Sequence, residues 1–148
     1  MKRKTLKICH AIVRFDKIPP AVTSDVLSRT SLSDLGDVLE LEYLFRRYIT
    51  VDKFERKLHD DIERKLCKEI KRLRDMGHFP VLYVDFYSGD LPYIRFELPN
   101  HMMHKLVQHR RGITLAFPSA VTDDELVINL SADFIKMLHD YNFSLEVV

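Results

Sequence analysis

The amino-acid sequence predicts a single α+β domain that spans residues 1–148, with a mixed or antiparallel sheet and one long amphipathic helix. Three observations predict this fold class. The chain of 148 residues is 46% hydrophobic and 30% charged, which is typical of one globular domain that needs neither a metal nor a disulfide for stability. The segment 52–76 has the periodicity of a helix, and several shorter segments alternate apolar and polar residues, as strands do.

The elements of the first half follow from these periodicities. Residues 5–15 alternate as a strand, and Pro19 and Pro20 follow its end. A short helix is predicted from Thr23, whereas residues 38–45 fit a strand or a helix equally well. The long helix should end at Gly77. Its apolar face is predicted to consist of Val51, Phe54, Leu58, Ile62, Leu66, Ile70, Leu73 and Met76.

In the second half, residues 79–87 and 93–98 are predicted to form a β-hairpin around a loop of about five residues. A helix capped by Asn100 and ended by Gly112 follows, and then come two strands. A helix capped by Ser131 and stopped by Asn142, and a last strand over 143–148, complete the chain. From Pro92 onward the order is therefore β-α-β-β-α-β, which resembles the ferredoxin-like arrangement of two helices on one antiparallel sheet.

The predicted hairpin has one apolar face and one polar face. The polar face carries Tyr83, Asp85 and Tyr87 on the first strand, with Tyr93, Arg95 and Glu97 on the second. If it is open, the phenol rings could stack on bases and Arg95 could bind a phosphate or carboxylate. The alternative is a tyrosine-rich face covered by the long helix, with Arg95 paired to a carboxylate.

Two further side chains are expected on this polar face. His10 points away from the side of its strand that carries Cys9, Ala11, Val13 and Phe15, and Thr114 points away from Ile113, Leu115 and Phe117. His10-Ala11-Ile12 and Gly112-Ile113-Thr114-Leu115 each resemble half of the strand motif of two-histidine phosphoesterases. The first lacks the hydroxyl and the second lacks the imidazole, and both histidines act as acid or base in that chemistry. The resemblance therefore implies a degenerate enzyme or a binding-only descendant.

A second candidate surface is a basic ridge on the long helix, opposite its apolar face. The ridge could follow a phosphate backbone. Asp60 and Asp61 each precede a cation by four residues, however, which is the spacing of ordinary surface ion pairs. The ridge consists of Lys53, Lys57, Arg64, Lys68 and Lys71.

The helix that follows Asn100 carries His101, His104 and His109, which should be exposed. His101 and His104 could share a metal ion, but no third ligand is evident, and no metal or other cofactor is predicted. Such a surface would gain positive charge below about pH 6.5.

Composition narrows the function classes. Residues 1–78 hold 18 basic and 13 acidic side chains, and residues 79–148 hold 5 and 9, so a nucleic-acid tail is not indicated. Cys9 and Cys67 form no metal or redox motif and are expected to be reduced, and no segment is apolar and long enough to span a membrane. A cytoplasmic protein without a membrane partner is therefore expected. Dinucleotide, P-loop, zinc-protease and serine-hydrolase motifs are absent from the sequence.

Three hypotheses follow. The first is a small non-catalytic protein that binds a nucleic acid or nucleotide-like anion. It would use the basic ridge and the polar face of the hairpin, which we call the Tyr/Arg face. The second is an interaction or inhibitor module that docks on a larger protein through the same face, since Tyr and Arg are enriched at interface hot spots. The third is the degenerate phosphodiesterase. A homo-oligomer is also conceivable, if the last strand lies at a sheet edge and pairs with a copy of itself.

Overall fold

The computed structural model describes residues 2–19, 38–87 and 95–147, together with the backbone of 33–34. It confirms the predicted α+β class, with two mixed sheets and three helices in these residues. None of the described helices is long and apolar enough to cross a membrane. The short helix predicted from Thr23 lies outside the described residues.

The described elements follow one another along most of the chain. The strands are β1 (Arg3–Thr5), β2 (Lys7–Phe15), β3 (Ser33–Asp34), β4 (Leu39–Ile49), β5 (Val81–Tyr87), β6 (Phe96–Leu98), β7 (Ile113–Pro118), β8 (Glu125–Leu130) and β9 (Ser144–Val147). Helix α1 comprises α-helical Val51–Asp61, one π-helical turn Ile62–Leu66 and α-helical Cys67–Asp75. Helix α2 is Asn100–Gln108, and helix α3 is Ala132–Asp140.

The strands form a three-stranded sheet in the order β1-β8-β7 and a six-stranded sheet in the order β3-β4-β2-β5-β9-β6. The N-terminal segment belongs to both sheets. Its first part, β1, pairs in parallel with β8, and its second part, β2, pairs antiparallel with β4 and β5. Leu6 lies between the two parts, is buried, and donates its N–H to the carbonyl of Val127 at 2.8 Å.

The predicted hairpin is wrong, because β9 lies between β5 and β6. Strand β9 pairs in parallel with β5 and antiparallel with β6. The last strand is therefore interior and not an edge, which removes the predicted route to self-pairing. The order β-α-β-β-α-β is present from β6 to β9, but β7 and β8 belong to the other sheet, so the ferredoxin-like arrangement is not confirmed.

Helix α1 begins and ends within one residue of the boundaries predicted from its periodicity. The side chains of its predicted apolar face are buried except for Met76, which lies beyond the helix end and is 44% exposed. From Phe54 to Ile70 these side chains recur every fourth residue. In a regular α-helix each such step rotates the side chain by about 40°, which would carry the later members away from the core. The π-helical turn at Ile62–Leu66 corrects this drift and keeps Ile62, Leu66 and Ile70 on the buried side.

A β-bulge at Cys9 changes the faces predicted for β2. Ile8 pairs with Phe86 and His10 pairs with Asp85, so Cys9 is an extra residue in this ladder. Ile8 therefore joins Ala11, Val13 and Phe15 in the core, where the regular alternation had placed Cys9. His10 keeps its predicted outward direction, and the segment 38–45 is a strand, part of β4.

The helix ends confirm some predicted caps and correct others. Ser131 accepts a hydrogen bond from the N–H of Phe134, and Asn142 has a positive φ of 61° just beyond α3. Asn100 does not cap α2, because it lies inside the first turn and donates its side-chain amide to the carbonyl of Phe143 at 2.8 Å. Gly112 does not end α2 either, since Arg110 takes the left-handed conformation there, with φ 50°.

A buried polar pair joins the six-stranded sheet to α1. The hydroxyl of Tyr43 donates to Oδ2 of Asp61 at 2.7 Å, and both residues are less than a tenth exposed. Burial, and then the Asp61 carboxylate, raise the pKa of Tyr43 far above its ordinary value. The pair therefore fixes one turn of the helix on β4.

Replacing Tyr43 by Phe is expected to lower the free energy of unfolding by about 2 kcal/mol, because Asp61 is left buried without its donor. Wild-type stability should also fall as the pH rises above about 10, because the unfolded chain then loses the Tyr43 proton that the folded chain retains. Below pH 10 this contribution is fully present. Urea denaturation at neutral and alkaline pH measures both effects.

The Tyr43→Phe variant should show a smaller alkaline loss than the wild type, and the exposed Tyr87→Phe should change neutral stability little. An unchanged stability of Tyr43→Phe at neutral pH would contradict the role assigned to the pair.

Candidate functional site

The six-stranded sheet has one covered face and one face whose described side chains are all at least partly exposed. The covered face packs on a core that includes Phe54 of α1 and Phe134 of α3, whose ring centroids are 6.4 Å apart. We call the other side the open face. Its polar and large apolar members include Lys7, His10, Ile12, Arg14, Glu40, Glu42, Leu44, Arg46, Tyr48, Tyr83, Asp85, Tyr87, Arg95, Glu97, Ser144 and Glu146.

The register places one continuous row of side chains across the open face. Glu42 is opposite Ile12, Ile12 is opposite Tyr83, Tyr83 is opposite Glu146, and Glu146 is opposite Glu97. The predicted neighbours Tyr83 and Glu97 are thus on the same face but are separated by β9. The face, which was predicted for a two-stranded hairpin, extends over five strands.

His10 lies between two carboxylates at the centre of this face. Its Nε2 is 3.0 Å from Oε2 of Glu42, and its Nδ1 is 3.6 Å from Oδ2 of Asp85. The Nε2 contact with Glu42 is a hydrogen bond, whereas the Nδ1 contact with Asp85 is longer than a hydrogen bond.

Arg14 and Tyr83 form the next part of the face. The Arg14 guanidinium contacts Glu40 at 3.1 Å and lies 5.3 Å from the centre of the Tyr83 ring. Burial and then Glu146 raise the pKa of the Tyr83 phenol. One face of the Tyr83 ring is thus occupied by a cation of the same chain. A hollow of about 170 Å³ lies beside these groups, lined by His10, Ile12, Arg14, Tyr83, Val84 and Asp85.

Tyr87 is 49% exposed and stacks on Tyr48, which is 42% exposed, with ring centres 3.9 Å apart. Sequence reasoning missed Tyr48, because the predicted segment ended at residue 45, although Tyr48 continues the outward alternation of Glu42 and Leu44 along β4. The Cys9 thiol donates to the carbonyl of Asp85 at 3.4 Å, and burial raises its pKa. The two rings form an aromatic pair at one end of the open face.

The remaining members of the predicted Tyr/Arg face are placed differently. Arg95 precedes β6 and contacts Glu97 at 3.0 Å with its side chain 66% exposed. Tyr93 lies outside the described residues. Thr114 does not share the face, because it belongs to the three-stranded sheet, where its hydroxyl donates to Asn129 at 3.0 Å.

The open face is acidic in balance. It carries the five carboxylates Glu40, Glu42, Asp85, Glu97 and Glu146 against the four cations Lys7, Arg14, Arg46 and Arg95. The guanidiniums of Arg14 and Arg95 are paired with carboxylates of the same face. Glu42, Asp85 and Glu146 therefore have no Arg or Lys partner among the described residues, which gives the centre of the face a negative potential.

The basic ridge is fully on the surface of α1, as predicted. All five of its side chains are exposed. Arg64 is paired with Asp60 at 2.9 Å, and the Lys57 ammonium lies 5.8 Å from the centre of the Tyr43 ring. Lys53, Lys68 and Lys71 make no ion pair with the described part of the chain. The ridge thus keeps three ammonium groups that have no carboxylate partner among the described residues.

Two other surfaces, the histidines of α2 and a groove between α1 and α3, do not indicate a particular class of ligand. His101, His104 and His109 are exposed as expected, and no group of three metal-ligating side chains occurs within the residues described. A groove of about 630 Å³ lies between α1 and α3, lined by side chains of both charges such as Lys136 and Asp140, which pair at 2.7 Å. Such a lining does not favour ligands of one charge.

Comparison with known proteins does not extend this description. No protein-family model matches the chain, and no curated protein and no solved structure is significantly similar to it.

Proposed function

We propose that this chain is a non-catalytic interaction module whose open face docks on a basic segment of a larger protein. The observation that carries the proposal is the charge of that face, where three central carboxylates have no Arg or Lys partner among the described residues and the guanidiniums of Arg14 and Arg95 are already paired. A partner segment with Lys or Arg side chains would complement this charge, which steers association and selects the partner.

The aromatic groups favour the same conclusion. A platform for bases needs free ring faces and cations, whereas Tyr83 already carries Arg14 and Tyr87 already carries Tyr48. Phosphates would also approach the central carboxylates at an electrostatic cost. Leu44, which is 74% exposed, and the aromatic pair instead offer apolar contact area of the kind found at interface centres.

The hollow beside Tyr83 supplies a place for one partner side chain. Its lining includes the carboxylate of Asp85 and the apolar side chain of Ile12, and the cation in the lining, Arg14, is already paired with Glu40. Arginine suits such a site, because its guanidinium can pair with Asp85 in a bidentate manner and its aliphatic part can pack on Ile12.

The basic ridge supports a second candidate function, the binding of a nucleic acid. Residues 64–74 contain six cations and one carboxylate, Glu69. Lys68 and Lys71 are exposed and free of ion pairs with the described residues, so they could contact phosphates. This binding would use α1 and not the Tyr/Arg face.

Amide chemical-shift mapping distinguishes the two candidates. Isotope-labelled protein would be titrated with a short peptide of alternating Arg and Leu, and separately with a single-stranded oligonucleotide. We expect the peptide to shift amides of β2, β5 and β9, and to bind about tenfold more weakly to the double variant Glu42→Gln, Asp85→Asn. The double variant Asp75→Asn, Asp123→Asn is the control, because it removes the same charge from exposed sites outside the open face.

Equal weakening in both double variants would show that the peptide responds to net charge alone, which contradicts docking on the open face. Peptide shifts confined to the helices would contradict it as well. Oligonucleotide shifts along α1 that disappear in Lys68→Gln, Lys71→Gln would support the second candidate.

A further inference from the structure

Strand β7 is an edge of the three-stranded sheet, and its outward backbone groups can be identified. The N–H of Ser119 donates to the carbonyl of Asp124, next to the strand that pairs with β7. Backbone direction alternates along an antiparallel strand, so Ile113, Leu115 and Phe117 direct their N–H and C=O groups to β8. Thr114, Ala116 and Pro118 direct theirs outward, where no described strand pairs with them.

This edge lacks two of the features that usually prevent strands from pairing with other chains. Residues 112–122 contain no charged side chain. The edge strands β1 and β6, by contrast, are three residues long and carry or adjoin charges, such as Lys4 and Arg95, and the edge strand β3 has two residues. Charge and short length protect an edge strand, and β7 has six residues with neither form of protection.

We propose that β7 pairs antiparallel with β7 of a second copy of this chain, centred on Leu115, to form one sheet across the two copies. In this register Thr114 of each copy is opposite Ala116 of the other, and the two outward N–H and C=O groups of each residue are satisfied. The missing N–H of Pro118 falls at the end of the ladder, opposite Gly112, where it interrupts no inner hydrogen bond.

The side chains favour a second copy as the occupant. In the same register Leu115 is opposite Leu115 of the other copy, and Ile113 is opposite Phe117. These three side chains are only partly buried in a single copy, so apolar cross-strand pairs would cover them. A two-fold contact of this kind closes at a dimer and does not continue into a fibre. It leaves the open face of the other sheet available.

The test is the mass in solution, measured by sedimentation equilibrium over a range of concentrations. We expect twice the chain mass of 17.5 kDa at high concentration. Ala116→Pro should raise the dissociation constant more than about tenfold, because it removes an outward N–H from each copy without removing a bond to β8. Hydrogen exchange should show protection of the Thr114 and Ala116 amides that is lost on dilution.

A pair of charged variants keeps the test decisive if Ala116→Pro fails to fold. Thr114→Lys with Ala116→Lys places like charges opposite each other in the dimer, whereas Thr114→Glu with Ala116→Lys places opposite charges there. We expect the first to be monomeric and the second to remain dimeric. A monomer at every concentration would overturn the proposal. A dimer that persists in the variant with Thr114→Lys and Ala116→Lys would overturn it as well.

Discussion

Replacing Phe54 by Ala is expected to lower the free energy of unfolding by about 4 kcal/mol. The Phe54 ring is fully buried and makes edge contacts with Tyr43 and Phe45 of β4, with ring centres 5.6 Å and 5.9 Å away. It also contacts Phe134 of α3 at 6.4 Å. Its removal would leave a cavity where the helix, the six-stranded sheet and α3 meet. Urea denaturation followed by circular dichroism measures the loss.

Phe79→Ala is the matched control, because this ring is 53% exposed between α1 and β5. We expect it to cost less than about 1 kcal/mol. Equal losses in the two variants would mean that Phe54 does not hold these three elements together.

Replacing Gly112 by Ala should cost about 3 kcal/mol, the upper end of the range for steric overpacking. A β-carbon at Gly112 would lie 2.4 Å from the carbonyl oxygen of Leu130 and 3.2 Å from the backbone nitrogen of Ala132. Both atoms belong to the backbone where β8 ends and α3 begins, so they cannot rotate away as a flexible side chain could. Thermal or urea unfolding of the variant measures the effect.

Gly77 provides the comparison, since it has φ +85° and open space where a β-carbon would lie. There the cost of Ala arises from the left-handed conformation and should be about 1 kcal/mol. Asn, which tolerates that conformation, should be accepted at Gly77 but not at Gly112. If both glycines accept Asn equally well, the close approach at Gly112 has no energetic consequence.

Local patterns predicted most of the elements but not their pairing. Helix α1 could be located because its apolar side chains recur along one face. From Phe54 to Ile70 they recur at every fourth residue, and this spacing explains why a π-helical turn is needed to keep them buried. The insertion of β9 between β5 and β6 could not be predicted, because it depends on contacts between residues about sixty positions apart, such as Val81 and Ser144.

The candidate site was also predicted only in part, because alternation assigns side chains to a face of one strand but does not show which strands are neighbours. Alternation assigned His10, Tyr83 and Asp85 to one face, and the structure places them together. It did not reach Tyr48, because the segment 38–45 fitted a strand or a helix equally well and its continuation to residue 49 was not predicted. It wrongly joined Thr114 to the face, because a short segment does not encode which strand it pairs with.

The sharing of the N-terminal segment between two sheets also bears on how the chain acquires its fold during synthesis. Arg3 pairs with Glu125, a separation of 122 positions, so β1 has no partner strand until most of the chain has been made. The six-stranded sheet likewise requires β9, at Ser144–Val147, before β6 can join it. Ladders with such long separations form slowly, because a large loop must close before any bond is gained. Until Glu125–Leu130 and Ser144–Val147 have been synthesised, both sheets are incomplete, and the apolar strands made earlier are exposed to aggregation during that interval.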